Sequence, residues 1–169
     1  MFIPFRVILI KHSERIRKRV APVVEQGEFI FISDKRIEEN SLIVGVHIRR
    51  GDYKEYRGGE YSFPVSTYEN LARSLTVNSP GRRFVFLVCS DEPIGDSAFS
   101  AMNWIRGPGT TLGDFCALSL CDLVTGPVST FNRLSAFLGG IPRFEIQEPT
   151  DSLRFSDFRP VEDLTYPVE

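Results

Sequence analysis

The chain has 169 residues, 42% hydrophobic and 25% charged, a composition ordinary for one globular domain with a sizeable buried core. Its net charge of -2 argues against broad electrostatic binding to nucleic acid or to an anionic membrane surface, so any anion site must be local. Cys89, Cys116 and Cys121 stand in apolar contexts without a zinc-type spacing, which predicts reduced, buried thiols.

Residues 1–40 are predicted to form a short N-terminal unit of one helix and one strand. Residues 13–26 carry apolar side chains at helical spacing, interrupted by Pro22, and residues 29–32 are apolar throughout, as in a strand. The apolar opening is broken by Pro4 and Arg6, lacks a signal-peptide cleavage site and is short for a membrane span. We therefore expect a cytoplasmic protein, attached to a membrane at most peripherally through this segment.

Residues 41–149 are predicted to form a Rossmann-like domain in which strands and helices alternate. Helices are expected to begin at Ser66, Thr111 and Ser129, the last ending at Gly139 and Gly140. The predicted strands are residues 42–48, 84–89, 103–105 and 122–125. Such alternation predicts a parallel sheet flanked by helices, with ligands bound outside the carboxyl ends of the strands. Residues 150–169 show no clear period and are expected to form a tail across the domain surface.

Two arginines and an aspartate follow the first strand of this domain, in the sequence HIRRGDY. Alternation along the strand places Arg49 and Arg50 on opposite faces of the sheet. A guanidinium suits bidentate contact with phosphate oxygens, and a structural salt bridge to Asp52 is an equally good interpretation. His47 shares the face of Arg49, where it either donates to a phosphate or an acceptor hydroxyl or is a hydrogen-bonded structural residue.

The last predicted helix opens with Ser129 and Thr130, after the turn formed by Gly126 and Pro127. A helix N-terminus offers backbone N–H groups and the positive end of the dipole, and hydroxyl groups add donors for an anion. A plain N-cap is the alternative. With the arginines, this helix end is predicted to clamp a diphosphate from two sides.

Two further carboxylates are candidates for contacts with a nucleobase or sugar. Asp91 closes a buried strand, where a solvated turn is the alternative, and Asp114 stands near a helix start, where a capping box is the alternative. The P-loop and dinucleotide fingerprints are absent from the sequence, as is an Asp-x-Asp pair for a divalent ion. The charge of a leaving diphosphate is therefore expected to be neutralised by arginine and helix N–H groups, without metal.

HIRRGDY and three later segments together resemble glycosyltransferase family 11, the α-1,2-fucosyltransferases. FPVSTYENLARSL, RRFVFLVCSDE and GDFCALSLCDLVTGPVSTFNRLSAFLGG are similar to later motifs of the family and follow in the same order, so the resemblance covers about residues 42–146. It implies the C-terminal half of a GT-B glycosyltransferase of glycan biosynthesis that binds GDP-fucose without metal. The implied reaction transfers L-fucose, with inversion, to a glycan hydroxyl, expected to be on galactose.

The resemblance also implies roles for particular residues. It places Arg49 on the donor diphosphate, and it places Asp114 or Asp91 near the nucleoside. The positions implied at the diphosphate and fucose are Ser129, Thr130 and Phe131. Inverting transfer needs a base for the acceptor hydroxyl, and the nearby candidates are Asp52, Glu55 and Glu60.

The sequence departs from the family in three places, one of which is Gly126-Pro127, where the family usually has an Ile or Ala with Asn. Asn132-Arg133-Leu134-Ser135 replaces the family's Ser-Trp-Trp-Ala, and only 46 residues precede the His-x-Arg-Arg motif where the family has a whole acceptor-side domain. The alternative function is therefore a truncated, non-catalytic GDP-sugar-binding module, or a half-enzyme that needs a second chain. A third and weaker hypothesis is an α/β scaffold in which the motifs are structural.

Overall fold

The computed structural model describes residues 40–95 and 97–160, together with Glu14, Arg15, Lys18, Ile32 and Asp34. The predicted helix of residues 13–26 and strand of residues 29–32 therefore lie mostly outside the described residues. Glu14, Arg15 and Lys18 are helical as predicted, whereas Ile32 is helical and buried where a strand was predicted. A short apolar run suits a buried helix as well as a buried strand, so its periodicity does not distinguish the two.

Within the described ranges, five parallel strands form one sheet in the order β3-β2-β1-β4-β5. This parallel sheet confirms the predicted Rossmann-like α/β fold. The strand β1 has the predicted bounds, because it is nearly all apolar and covered on both faces. The strand β5 was not predicted. The strands are β1 Leu42–Ile48, β2 Phe84–Ser90, β3 Trp104–Arg106, β4 Leu123–Pro127 and β5 Arg143–Ile146.

Three α-helices of the described region cover this sheet, namely α1 Val65–Val77, α2 Thr111–Ser119 and α3 Thr130–Gly139. Alternate residues of β1 enter two apolar clusters, with Val44 and Val46 on the α1 side and Ile43 on the side of α2 and α3. The same alternation turns Gly45 toward α2, where an added Cβ would lie 2.7 Å from a methyl carbon of Leu118. The two faces of β1 are therefore covered by different helices, by α1 on one face and by α2 and α3 on the other.

The start of α1 differs from the predicted one. The helix begins at Val65 after Pro64, and no side chain caps it, so Ser66 is already inside the first turn. Glu69 does not close a capping box, because its carboxylate accepts a 2.8 Å hydrogen bond from the backbone N–H of Phe99. Glu69 instead fixes the segment that leads into β3.

The other two helices are capped by side-chain hydroxyl groups. Thr110, rather than the predicted Thr111, caps α2 by accepting a 3.1 Å hydrogen bond from the N–H of Gly113. Ser129 caps α3 as predicted, and the helix ends at Gly140 with a left-handed φ of 65°. Thr110 and Thr111 offer the same hydroxyl group one residue apart, so the sequence pattern does not distinguish which of them caps α2.

Residues 150–160 lie along the α1 side of the sheet and its β5 edge. Leu153 and Phe158 belong to the apolar cluster under α1, and the N–H of Leu153 donates to the Ser74 hydroxyl at 2.9 Å. Arg159 forms an antiparallel bridge with Arg143 of β5 through backbone hydrogen bonds of 2.8 and 2.9 Å. This segment therefore pairs with β5, the edge strand of the sheet that lies beside β4.

The strand order reverses between β1 and β4, which pair directly through Val44 with Leu123 and Val46 with Thr125. In doubly wound sheets this switch point leaves a crevice at the carboxyl ends of the two strands. The segments HIRRGDY and GPVST each begin in the last two residues of one of these strands and continue beyond its end. No helix among the described residues is long and apolar enough to cross a bilayer.

Candidate functional site

A cleft of about 590 Å³ opens at the switch point between β1 and β4. We call it the first cleft. One wall is the loop after β1, which contributes Arg49, Asp52, Tyr53 and Tyr56, and the other is the start of α3 with Phe115 of α2. The structure therefore brings the two predicted anion-binding segments to opposite sides of one cavity, because β1 and β4 are neighbours in the sheet.

Arg49 lies in the first cleft and is paired with Asp52. Its Nε is 2.8 Å from Asp52 Oδ1 and its NH2 is 3.0 Å from Asp52 Oδ2, with Asp91 Oδ2 at 3.4 Å from Nε. The hydrogen bond with Asp52 raises the pKa of Arg49, so the guanidinium stays charged. Because the Asp52 side chain is 63% exposed, this surface pair is weak, and an incoming anion can displace the carboxylate at little cost.

Arg50 points away from the first cleft, as alternation predicts. Its nearest described carboxylate is Glu92, with Arg50 Nε 3.9 Å from Oε2. Lys54 donates to the other oxygen of Glu92. The two adjacent arginines thus have different surroundings, and only Arg49 lines the cavity between β1 and β4.

His47 is packed behind the first cleft rather than lining it. Its ring stacks on that of Phe131 with centroids 4.8 Å apart and an interplanar angle of 27°. The residue is 3% exposed, its Nδ1 has no hydrogen-bond partner, and burial lowers its pKa to about 3. The neutral imidazole therefore supports Phe131, which does line the cleft.

The start of α3 is fixed by short-range contacts. Ser129 Oγ accepts a 3.2 Å hydrogen bond from the N–H of Phe131, so Ser129 is an N-cap and a cleft residue at once. Thr130 is exposed at the first position of the helix and also lines the cleft. Tyr53 crosses from the opposite wall, and its hydroxyl donates to the main-chain carbonyl of Val128 at 2.8 Å.

Gly126 allows β1, β4 and α3 to meet closely behind this helix start. An added Cβ at Gly126 would lie 2.8 Å from the His47 carbonyl oxygen and 2.7 Å from Asn132 Nδ2. Asn132 is fully buried and donates from Nδ2 to the carbonyl of Pro127 at 2.8 Å. The glycine of GPVST is therefore a packing requirement of the site.

A second cleft of about 280 Å³ lies at the carboxyl ends of β2 and β3, and Asp91 and Asp114 both line it. Asp91 braces the loop after β1, accepting hydrogen bonds from the N–H groups of Arg50 at 2.9 Å and Gly51 at 3.1 Å. Asp114 accepts from the N–H of Gly109 at 2.8 Å, and burial raises the pKa of its carboxyl. Since Asp91 also lies beside Arg49, the two clefts adjoin each other.

The three candidate bases are separated by the structure. Asp52 lines the first cleft, whereas Glu55 and Glu60 are exposed and line neither cleft. Among the described residues around the first cleft, Asp52 is the one carboxylate. Its hydrogen bond to Arg49 lowers its pKa, which makes it a weak base in this arrangement.

Tyr53 and Arg133 are among the cleft residues that were missed as candidates from the sequence. Tyr53 stands directly after the arginine motif, and Arg133 lies three residues after Thr130 on the same helical face. That spacing was the available signal for Arg133. In the part of the chain that the structure describes, no group of three or more His, Cys, Asp or Glu side chains is placed to hold a metal ion. Cys89, Cys116 and Cys121 are buried thiols, and none of them is in a disulfide within the described part of the chain.

No protein-family model and no curated protein matches the chain. A crystal structure of POFUT1 in complex with GDP is similar to it over 69% of this chain and 45% of that chain, with 16% sequence identity and a TM-score of 0.40. The chain thus spans less than half the length of that protein. A likeness of this size does not assign a function, so the function is argued from the site.

Proposed function

We propose that the chain binds a GDP-sugar, with the diphosphate in the first cleft and the nucleoside in the second. The observation that carries this proposal is the placement of Arg49 and of Ser129 and Thr130 on opposite walls of one cleft at the switch point. Parallel sheets bind their ligands at this position. The proposed donor is GDP-fucose, and the proposed function is similar to that of a fucosyltransferase.

The chemistry of the first cleft suits a diphosphate. Arg49 presents a planar guanidinium whose geometry matches two phosphate oxygens, and a phosphate can take the place that Asp52 occupies. On the other wall, α3 is ten residues long and directs its N-terminus at the cleft, so its dipole favours negative charge there. Both contributions act on the same cavity, which is what a clamp on a diphosphate requires.

The second cleft suits a guanine nucleoside. The amino group and ring N–H of guanine are neighbouring donors, and Asp114 offers a carboxylate that has acceptor capacity beyond its bond to Gly109. Asp91 connects the clefts, because it lines the second and lies 3.4 Å from Arg49 in the first. In a bound nucleoside diphosphate, the base would therefore contact the second cleft and the phosphates would contact the first.

The proposed reaction is transfer of L-fucose from GDP-fucose to a glycan hydroxyl with inversion, of the α-1,2-galactoside type. The four sequence blocks that resemble glycosyltransferase family 11 support this finer assignment. In this proposal the diphosphate displaces Asp52 from Arg49, which releases the carboxylate to accept the proton of the acceptor hydroxyl. Arg49 and the N-terminus of α3 neutralise the departing GDP, and we expect no requirement for a metal.

Calorimetric titration with GDP-fucose, GDP and UDP tests the donor assignment. Saturable binding that prefers GDP over UDP is the expected result, unchanged by a chelator. Equal affinity for GDP and UDP would overturn the guanine assignment, and no binding of either would overturn the proposal. Release of GDP from GDP-fucose in the presence of a galactoside then tests transfer.

A donor-binding half-enzyme is the second candidate, and the state of Asp52 favours it. The one carboxylate among the described residues of the first cleft is engaged by Arg49, while Glu55 and Glu60 lie outside it. A base would then come from an acceptor-side domain or from a second chain. Tight binding of GDP-fucose without GDP release, across a panel of galactoside acceptors, is the result that distinguishes this candidate from a complete enzyme.

A further inference from the structure

Arg133 is a second arginine of the first cleft, on the wall opposite Arg49. It lies one turn into α3, on the face that also presents Thr130 and Leu134 to the cavity. Its side chain is only 13% exposed, so the guanidinium is packed against the wall rather than extended into solvent. The position of the charged guanidinium therefore depends on the residues that pair with Arg133.

Glu145 of β5 holds Arg133 in a bidentate pair. Arg133 Nε donates to Glu145 Oε1 at 2.6 Å and NH2 donates to Oε2 at 2.8 Å. This two-point contact fixes the plane of the guanidinium as well as its position. The Glu145 side chain is 14% exposed, so water screens the pair less than it screens the pair of Arg49 and Asp52.

Arg143 also pairs with Glu145. Its side chain is fully buried, and NH1 donates to Glu145 Oε1 at 2.9 Å and to Asn132 Oδ1 at 3.2 Å. Asn132 in turn donates to the carbonyl of Pro127 at the end of β4. This network links the sheet edge to the first turn of α3, and Arg133, Arg143 and Glu145 together carry one positive charge.

We propose that Arg133 is a second cationic contact for the anionic part of the ligand, and that Glu145 and Arg143 position it. This inference rests on the proposed function, because it assigns a further residue to the same site. Arg49 approaches the diphosphate from the wall after β1, and Arg133 approaches it from α3. A buried, paired arginine loses little side-chain freedom on binding, so the wall is preformed.

Three probes separate a phosphate contact from a structural role. Pyrophosphate reports the anion site alone, guanosine reports the nucleoside site alone, and GDP reports both. Each is titrated calorimetrically into the wild-type chain, Arg133→Met and the control Arg73→Met, which makes the same change at an exposed position of α1 outside both clefts. Thermal unfolding measures whether each variant is folded.

Arg133→Met is expected to weaken pyrophosphate and GDP binding about tenfold or more, the usual scale of a charge-assisted contact. Guanosine affinity should not change, and Arg73→Met should bind all three probes as the wild type does. Unchanged pyrophosphate affinity in folded Arg133→Met would overturn the proposal. An equal loss of guanosine and pyrophosphate affinity would overturn it too, since that is the result of a general structural defect.

Arg143→Lys tests the positioning role, with Arg159→Lys as its control at an exposed position that pairs with Arg143 only through the backbone. Lysine keeps the positive charge but lacks the planar guanidinium that donates to Glu145 and Asn132. The affinity for pyrophosphate should therefore fall, while the affinity for guanosine should not change. No change in a folded Arg143→Lys would overturn that role. If the wild type binds pyrophosphate without preferring GDP over UDP, the proposed function fails while the assignment of Arg133 stands.

Discussion

The hydroxyl of Tyr53 donates a 2.8 Å hydrogen bond to the main-chain carbonyl of Val128. Tyr53 follows β1 and Val128 follows β4, so this bond joins the two walls of the first cleft across the switch point. Burial raises the pKa of Tyr53, which keeps the phenol protonated and therefore a donor at neutral pH. This hydrogen bond therefore connects the two walls of the cleft directly.

Removing the Tyr53 hydroxyl should loosen the cleft. We expect Tyr53→Phe to lower the free energy of unfolding by about 1 kcal/mol, the usual net contribution of one hydrogen bond, and to weaken GDP binding. Urea unfolding and calorimetric titration measure the two effects. Tyr61→Phe is the control, since Tyr61 packs against the apolar cluster under α1 and lies outside both clefts. Wild-type GDP affinity in Tyr53→Phe would contradict this role.

The two adjacent arginines should differ in their effect on donor binding. Arg49→Ala is expected to abolish GDP binding while leaving the fold intact, because its pair with Asp52 is exposed and contributes little to stability. Arg50→Ala removes the same charge one residue away, outside the first cleft, and should retain most of the affinity. Titration of both variants with GDP measures the difference. Equal losses would mean that overall charge, rather than the position of Arg49, binds the ligand.

Asp52 competes with the ligand for Arg49 in the free protein. Asp52→Asn should therefore bind GDP more tightly than the wild type, because the phosphate no longer displaces a charged partner. If Asp52 is also the base, the same variant loses fucose transfer. GDP titration and GDP-release assays report the two effects separately. Weaker GDP binding in folded Asp52→Asn would show that Asp52 orients Arg49 for the ligand instead of competing with it.

His47 should make the stability of the fold depend on pH. Its pKa is about 3 in the folded chain against 6.5 for the free side chain, because the buried imidazole cannot readily take up a proton. The unfolded chain gains that proton below pH 6.5, so the full stability is present above pH 6.5 and falls as the pH drops from there toward 3. The expected slope is about 1 kcal/mol per pH unit.

Chemical unfolding between pH 6.5 and about 4.5, above the usual pKa of carboxylates, measures this dependence. His47→Gln should flatten the slope, because glutamine does not titrate. His12→Gln removes the other histidine, which lies outside the described residues, and serves as the control. The same slope in His47→Gln and the wild type would show that another group carries the pH dependence.

The sequence predicted the layers of the fold because the central strands are apolar on both faces. The strand β1 has no polar residue before His47, and its run ends at the arginines, so both its bounds and its place beside the site follow from composition. The strand β5 was missed for the opposite reason. Arg143 and Glu145 look like surface residues in the sequence, yet they are covered because each satisfies the charge of the other.

The candidate site was predictable where geometry follows from strand order. Arg49 and Ser129 were placed correctly at strand ends that meet, since parallel strands share a carboxyl edge. Contacts between distant loops were not predictable from spacing. Asp91 braces the backbone of Arg50 and Gly51 across 40 or more residues, and Arg133 depends on a carboxylate from the unpredicted strand.

The adjacency of β1 and β4 makes the first cleft depend on contacts between distant parts of the chain. Tyr53 and Val128 are 75 residues apart in the chain, and α1, β2, β3, α2 and β4 lie between them in sequence. A fragment that ends before β4 would therefore keep Arg49 but lack the opposite wall of the diphosphate clamp. Because a ligand that binds only the folded chain stabilises it by mass action, GDP should raise the unfolding temperature of the whole sheet in a single transition.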